Sequence, residues 1–270
     1  MRKILVLLCI GVSWVAMAQQ NDTALLRSLK VQEVKKYQYV HAFDAKQDTC
    51  LLEHIKLNTK AQETYKFTNH ACMGYPHSNK VLSTYENDRL VSQSMLSNDK
   101  EVFKNRFEYG NGPTPVKQTT LLLETNDTIV TAFEHFYHKR STREDSTITT
   151  RIGPNGTETY VTYFAYDKKK KLLAIRSVDS LGKRVDEVTN TYNAQGKLES
   201  TAHATFGQKP TFINTFFMYD QADRVVQTSN TKNRQYVYLY KDNGLLNNVL
   251  GYNAKGDLEV ETIYNYSYRK

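Results

Sequence analysis

The segment His70–His77, which reads HACMGYPH, is the densest group of chemically capable side chains in the sequence. His70, Cys72 and His77 are residue types that ligate metals. Structural zinc sites, however, usually place their ligands in tight pairs of Cys or of His and use four of them. Here one residue separates His70 from Cys72, four separate Cys72 from His77, and no fourth ligand lies nearby. We therefore predict no metal site, and interpret the segment as a loop whose Cys72 is buried or disulfide-bonded.

The remaining candidates for catalysis are weak. His135 and His138 lie three residues apart in a strand-like segment, which puts them on opposite faces of a strand. The sequence has no G-x-S-x-G nucleophile motif and no glycine-rich phosphate loop, and its carboxylates are scattered rather than paired. We predict a protein that is not an enzyme and that uses no cofactor.

Tyrosine is over-represented, with 19 in the chain, and some of these residues alternate along strand-like segments. Period two places every second residue of a strand on the same face. Two trios follow this rule and are our candidate binding residues: Tyr236, Tyr238 and Tyr240, and Tyr264, Tyr266 and Tyr268. The alternatives are cross-strand stabilisation and a flat amphipathic surface for a glycan, a peptide or a partner protein.

Most of the chain shows the same alternation, interrupted by turn signals rich in Gly, Asn and Asp. Such spacing is typical of consecutive β-hairpins. The predicted fold class is all-β: a long antiparallel β-hairpin meander of short repeats, forming an open curled sheet or a two-layered one. Tyr192–Glu199 (YNAQGKLE) and Tyr252–Glu259 (YNAKGDLE) are near copies about five strands apart. We predict that Gly196 and Gly256 occupy equivalent turn positions with positive φ.

Four segments carry a pattern of Tyr, Asp or Asn, a loop often containing Gly, a charged residue and an aliphatic residue: YDKKKKL (166–172), YNAQGKL (192–198), YDQADRV (219–225) and YNAKGDL (252–258). This pattern resembles the YD repeats of the RHS family, although Lys170 and Asp223 stand where Gly is usual. The resemblance implies a small exported β-repeat protein of the Bacteroidota type with degenerate repeats and no toxin domain. It transfers no catalytic residue.

The N-terminus has the features of a signal peptide: Arg2 and Lys3, an apolar run, and Ala16-Met17-Ala18 before Gln19. We predict a signal peptide over 1–18 and a single elongated β-repeat domain over 19–270, with the most regular repeats at 157–268. After cleavage we expect no transmembrane segment. The protein is then exported, and is periplasmic, outer-membrane-associated or secreted. Export also makes a disulfide between Cys50 and Cys72 possible.

The net charge of the full chain is +8, and both signs are scattered along it. A nucleic-acid-binding protein would cluster its Lys and Arg on one face, so we expect no nucleic-acid partner. The cationic run Lys168–Lys171 follows a predicted turn, and we interpret it as a solvated loop.

These observations favour a non-catalytic exported protein with a binding or structural role at the bacterial envelope, where its partner is an unknown envelope protein or glycan. The alternative is a periplasmic carrier that holds a lipid or another apolar ligand in a curled β-sheet. An outer-membrane barrel is the weaker third interpretation. Its lipid-facing side should be uniformly apolar, whereas strands such as DEVTNTY (186–192) are polar on both faces.

Overall fold

The computed structural model describes residues 23–41, 49–137 and 143–269. The predicted signal peptide with its cleavage site and His138 lie outside these ranges. The described residues form one 18-stranded antiparallel sheet. Its strands, in chain order, are β1 (Val31–Val40), β2 (Cys50–Leu57), β3 (Glu63–Asn69), β4 (Ser78–Glu86), β5 (Arg89–Ser97), β6 (Lys100–Tyr109), β7 (Pro115–Leu122), β8 (Asp127–Tyr137), β9 (Glu144–Gly153), β10 (Gly156–Tyr166), β11 (Leu172–Asp179), β12 (Arg184–Tyr192), β13 (Leu198–Thr205), β14 (Thr211–Tyr219), β15 (Val225–Asn230), β16 (Gln235–Tyr240), β17 (Leu246–Tyr252) and β18 (Leu258–Tyr268).

The all-β antiparallel meander is confirmed, but the expectation of an open or two-layered sheet is wrong. Each strand pairs with the next along the chain, and β1 pairs with both β2 and β18. The sheet therefore closes into a barrel. Closure has a physical reason, because pairing β1 with β18 satisfies two rows of backbone N–H and C=O groups that an open meander would leave exposed at its edges.

The two faces of the barrel wall differ in burial. Cross-strand partners share a face, so the register assigns every strand residue to one side. One side, which we call the tyrosine face, carries both predicted tyrosine trios and nearly all the buried strand residues, among them Val34, Asn105 and Asn190. The other side, the opposite face, carries exposed apolar residues such as Phe212 and Met218.

Within the part of the chain that the structure describes, eight hairpins use the same five-residue turn. In each, the first residue's N–H donates to the fifth residue's carbonyl, and the fourth residue's N–H donates back to the first residue's carbonyl. In most of them the first side chain is Asp or Asn, and its oxygen also accepts the fifth residue's N–H. This Asx bond explains the preference for Asp or Asn after the strand. The turns begin at Asn58, Asp167, Asp179, Asn193, Asp220, Asn230, Lys241 and Asn253.

The fourth turn residue has positive φ, as predicted for Gly196 (φ 80°) and Gly256 (φ 87°).

In an up-and-down barrel, successive hairpins lie at alternate ends. Loops after even-numbered strands form one rim, the tyrosine rim, and loops after odd-numbered strands form the distal rim. The near-identical phrases follow β12 and β17 and therefore lie at opposite rims. They are alike because both form the same turn, not because they occupy equivalent places.

A short helix over residues 23–28 packs onto the barrel at the tyrosine rim. Its Leu25 and Leu26, with Leu29 just after it, contact a small core of Val31, Val34 and Leu245. Of the helices in the described ranges, none is long and apolar enough to cross a membrane.

Candidate functional site

A ladder of tyrosines and cations runs along the tyrosine rim. In a typical rung, Tyr192 ends β12 and its hydroxyl donates to the Leu172 carbonyl at the start of β11, at 2.9 Å. The Lys171 ammonium lies 5.0 Å from the centre of the Tyr192 ring. Each rung thus joins the ends of two neighbouring strands through a hydrogen bond and a cation–π contact, and the latter contributes about 0.5–1 kcal/mol at an exposed site.

The same rung recurs at every second strand over much of the barrel. The hydroxyl-to-carbonyl pairs are Tyr109 with Leu90, Tyr192 with Leu172, Tyr219 with Leu198, Tyr240 with Val225, and Tyr266 with Leu246. The corresponding cations are Arg89, Lys171, Lys197, Arg224 and Lys241, and Arg143 lies over Tyr166 in the same way. Burial raises the pKa of the Tyr109, Tyr166, Tyr192 and Tyr219 hydroxyls.

All six predicted binding tyrosines lie on the tyrosine face, and several have structural contacts there. Tyr240 and Tyr266 are rungs of the ladder, Tyr238 shares a hydrogen bond with Thr228 at 3.2 Å, and Lys36 lies over Tyr264. Burial raises the pKa of Tyr238. Tyr268 alone among the six is exposed, at 43%. These contacts favour cross-strand stabilisation as the role of the trios.

The His70–His77 segment forms a loop at the distal rim. Its 3-10 helix, His70–Met73, begins after Asn69, whose side chain accepts the Ala71 N–H. Cys72 is bonded to Cys50, with Cα atoms 5.6 Å apart, so its sulfur is not available as a thiolate ligand. The His70 and His77 rings stack at 4.4 Å, and Asn79 Nδ2 lies 3.0 Å from His70 Nε2. The histidines thus serve to shape the loop.

His135 has partners on both ring nitrogens. Its Nδ1 contacts Glu144, and its Nε2 lies 2.9 Å from the carbonyl oxygen of Pro115. Thr147 donates to the same Glu144 carboxylate. A catalytic relay requires the acid and the nucleophile on different nitrogens of the base. Here Thr147 and Glu144 lie on the same side of the ring, and a backbone carbonyl blocks the other.

A charged cluster on the tyrosine face is internally neutralised. Glu53 lies 2.7 Å from the Lys36 ammonium and 3.3 Å from that of Lys66. Burial by itself would raise the pKa of Glu53, but the two ammonium groups outweigh it and hold this pKa below its usual value. Burial raises the pKa of nearby Glu63. Glu53 is therefore a paired carboxylate rather than a free base.

One depression on the wall has a volume of about 500 Å³ and is shallow. It lies across β4–β7 and is lined mainly by hydroxyl, amide and charged side chains, with Lys104, Arg106 and Glu86 among them. Such a lining does not suit an apolar ligand, because burying charges without partners costs free energy.

The opposite face of β13–β17 is different, and we call it the neutral sector. None of the side chains that the strand register places on this sector is charged, and Glu199, at the bulge near the start of β13, has no register partner. The side chains of the sector are Ser200, Ala202, Ala204, Phe212, Asn214, Phe216, Met218, Gln227, Ser229, Gln235, Val237, Leu239, Asn248 and Leu250. Phe212 is 61% exposed, Met218 57% and Phe216 46%. The cross-strand partners of Phe212 and Phe216 are small residues (Ala204, Ser200 and Ser229), so these two rings stand clear of the wall.

Glu187 and Glu261 border the neutral sector on either side. Sequence reasoning did not find this surface. In β14, TFINTFFMY, both faces carry aromatic residues, so no apolar–polar alternation distinguishes an exposed side. The available signal was the run without Asp, Glu, Lys or Arg from Thr211 to Tyr219, flanked by the small residues of β13.

No family model matches the chain, and no curated protein does. Among solved structures, a porin-like protein from Bacteroides uniformis aligns at 11% identity and a TM-score of 0.43, covering 88% of this chain and 98% of its own. A porin-like protein from Bacteroides vulgatus aligns at 9% identity and a TM-score of 0.37, and the alignment again covers 88% of this chain and 98% of the other. A chain of a Photorhabdus luminescens Tc holotoxin pore aligns at 9% identity and a TM-score of 0.34. That alignment covers 85% of this chain and 18% of the toxin chain. Likeness at this level carries no functional argument.

Proposed function

We propose that this chain is a non-catalytic, exported protein of the YD-repeat type that binds a partner protein at the bacterial envelope through its neutral sector. The supporting observation is the exposure of Phe212, Phe216 and Met218 on a face where the strand register places no charged side chain between Glu187 and Glu261. A contiguous apolar patch on a folded protein is the usual mark of an interaction site. Aromatic residues and Met are enriched in such sites, whereas charged residues are depleted at their centres.

The candidates for chemistry support a non-catalytic role. The His70–His77 loop is held by a disulfide and a ring stack, and both nitrogens of His135 have partners. Lys104, Arg106 and Arg176 lie on the opposite face in the middle of their strands. A barrel wall that contacts lipid has a uniformly apolar outer surface, so these charges disfavour lipid contact.

A carrier of an apolar ligand is the second candidate, since the neutral sector is also a surface that could take a lipid chain. Binding of a fatty acid distinguishes a carrier from a protein-binding module. A carrier should bind a fluorescent fatty acid saturably at a fixed stoichiometry, whereas a protein-binding module should not.

The test is affinity purification of the mature chain from its native envelope, with quantification of co-purifying proteins. Exchanging Phe212 and Phe216 for Ser should abolish the partner's recovery. Exchanging Ile152 and Tyr163 for Ser is the matched control, because these residues are similarly exposed on the same face outside the sector. Equal recovery with both double variants, each folded by circular dichroism, contradicts the proposal.

A further inference from the structure

The two rims of the barrel differ strongly in charge. The described loops of the tyrosine rim, together with the segment before β1 and the residue after β18, contain twelve cationic and five acidic side chains. Their net charge is +7. The cations are Arg27, Lys30, Lys60, Arg143, Lys168, Lys169, Lys170, Lys171, Lys197, Arg224, Lys241 and Arg269, and the acids are Asp88, Asp167, Asp220, Asp223 and Asp242. The described loops of the distal rim have five cations (Lys183, Lys209, Lys232, Arg234 and Lys255) against three acids (Asp99, Glu124 and Asp257), a net of +2.

Several cations of the tyrosine rim are held in fixed positions. The ladder seats Lys171, Lys197, Arg224 and Lys241 over tyrosine rings. Successive even-numbered turns are separated by two strand spacings, or about 10 Å. The result is an arc of positive charge around one end of the barrel.

Lys168, Lys169 and Lys170 add charge outside the tyrosine ladder. These three residues are exposed, and within the described residues their side chains form no hydrogen bond or ion pair. Lys170 has a φ of 72° at the turn position where Gly196 and Gly244 stand in sister turns of this rim. A lysine is strained in this conformation and glycine is not. Strain of this kind is often retained where a side chain serves a function.

We propose that the tyrosine rim docks on the surface of an anionic membrane, with the ammonium and guanidinium groups contacting phospholipid phosphates. Cations spread over many loops around one end of the barrel can contact many headgroups of a membrane surface at once, whereas a linear polyanion would need them in a stripe. Clusters of Lys and Arg bind anionic lipid surfaces with a gain of about fivefold in affinity for each charge near the surface.

The experiment measures sedimentation of the purified mature chain with vesicles of phosphatidylethanolamine and phosphatidylglycerol, and with vesicles of phosphatidylcholine alone. We expect binding to the anionic vesicles only, and its loss as salt shortens the screening length. Replacing Lys168, Lys169 and Lys170 with Gln should weaken it about 100-fold. The control replaces Lys209, Lys232 and Lys255 of the distal rim with Gln, which changes the net charge equally and should leave binding almost intact.

Lys170→Gly separates function from folding. It should raise the melting temperature by about 2–4 °C through relief of strain, yet weaken vesicle binding about fivefold. Asp223→Gly, at the equivalent position of the β14–β15 turn, relieves the same strain but also removes the exposed ion pair with Lys197, which contributes little to stability; it should therefore stabilise the fold and leave binding undiminished. Three results overturn the proposal: no binding to anionic vesicles, equal weakening by both triple variants, or binding to soluble polyphosphate without binding to vesicles. None of these outcomes depends on the neutral sector.

Discussion

Gly196 and Gly256 offer a matched test of the tyrosine ladder. Both have positive φ in turns with the same backbone hydrogen bonds. A Cβ added at Gly256 meets nothing within 4 Å, whereas one at Gly196 would overlap the Lys171 ammonium. That ammonium donates to the Gly196 carbonyl at 2.6 Å and lies over Tyr192. The two glycines therefore share their backbone requirement but differ in their place in the ladder.

The expected costs follow from these contacts. Alanine in the left-handed region costs about 1–2 kcal/mol at either site. At Gly196 the displaced lysine also loses a hydrogen bond worth about 1 kcal/mol and a cation–π contact worth about 0.5–1 kcal/mol. Gly256→Ala should therefore lower the free energy of unfolding by about 1–2 kcal/mol, and Gly196→Ala by about 2.5–4 kcal/mol.

Urea denaturation followed by circular dichroism measures both costs, provided that the slope of the transition is unchanged. The control is the Lys171→Met background, which lacks both lysine contacts before the glycine is changed. In that background, Gly196→Ala should lower the free energy of unfolding by no more than Gly256→Ala does. Equal costs in the wild-type background, or an excess cost at Gly196 that persists with Lys171→Met, would refute the ladder as a stabilising device.

Four further outcomes are expected. Because burial raises the pKa of the Tyr192 and Tyr219 hydroxyls above the unfolded value of about 10, the stability that these two residues contribute should be fully present below that pH and be lost above it, which urea denaturation at increasing pH measures. Tyr219→Phe should cost about 1 kcal/mol in urea denaturation through loss of the bond to Leu198. Reducing the Cys50–Cys72 bond, which spans 22 residues, should cost about 3 kcal/mol, read as a lower melting temperature with reductant than without. N-terminal sequencing of the exported protein should begin at Gln19, and a chain that still begins at Met1 would contradict the signal peptide.

The sequence predicted the strands and turns well because both depend on local chemistry. Period-two alternation and Asx turns are properties of short segments, so the hairpins and the positive φ at Gly196 and Gly256 were foreseeable. Closure was not, since it depends on β1 meeting β18 across more than two hundred residues of chain. Nothing in the composition of β1, VQEVKKYQYV, distinguishes an edge strand from one paired on both sides.

The same limit applies to the candidate sites. Alternation along the sequence placed the two tyrosine trios on one face. It could not show that the hydroxyls of Tyr240 and Tyr266 donate hydrogen bonds to backbone carbonyls in the ladder. Charge appeared scattered along the chain because consecutive turns go to opposite rims. Only the folded topology gathers the cations of alternate loops at one end.

Exposed methionines provide the most direct test of binding through the neutral sector. Met218 lies within the sector at 57% exposure, and Met73 lies on the distal loop at 45%. Hydroxyl-radical footprinting should oxidise both in the purified protein. In intact cell envelopes we predict that Met218 becomes protected while Met73 stays reactive. Equal oxidation of both residues in the envelope, at the rates of the purified protein, would contradict a partner on the neutral sector.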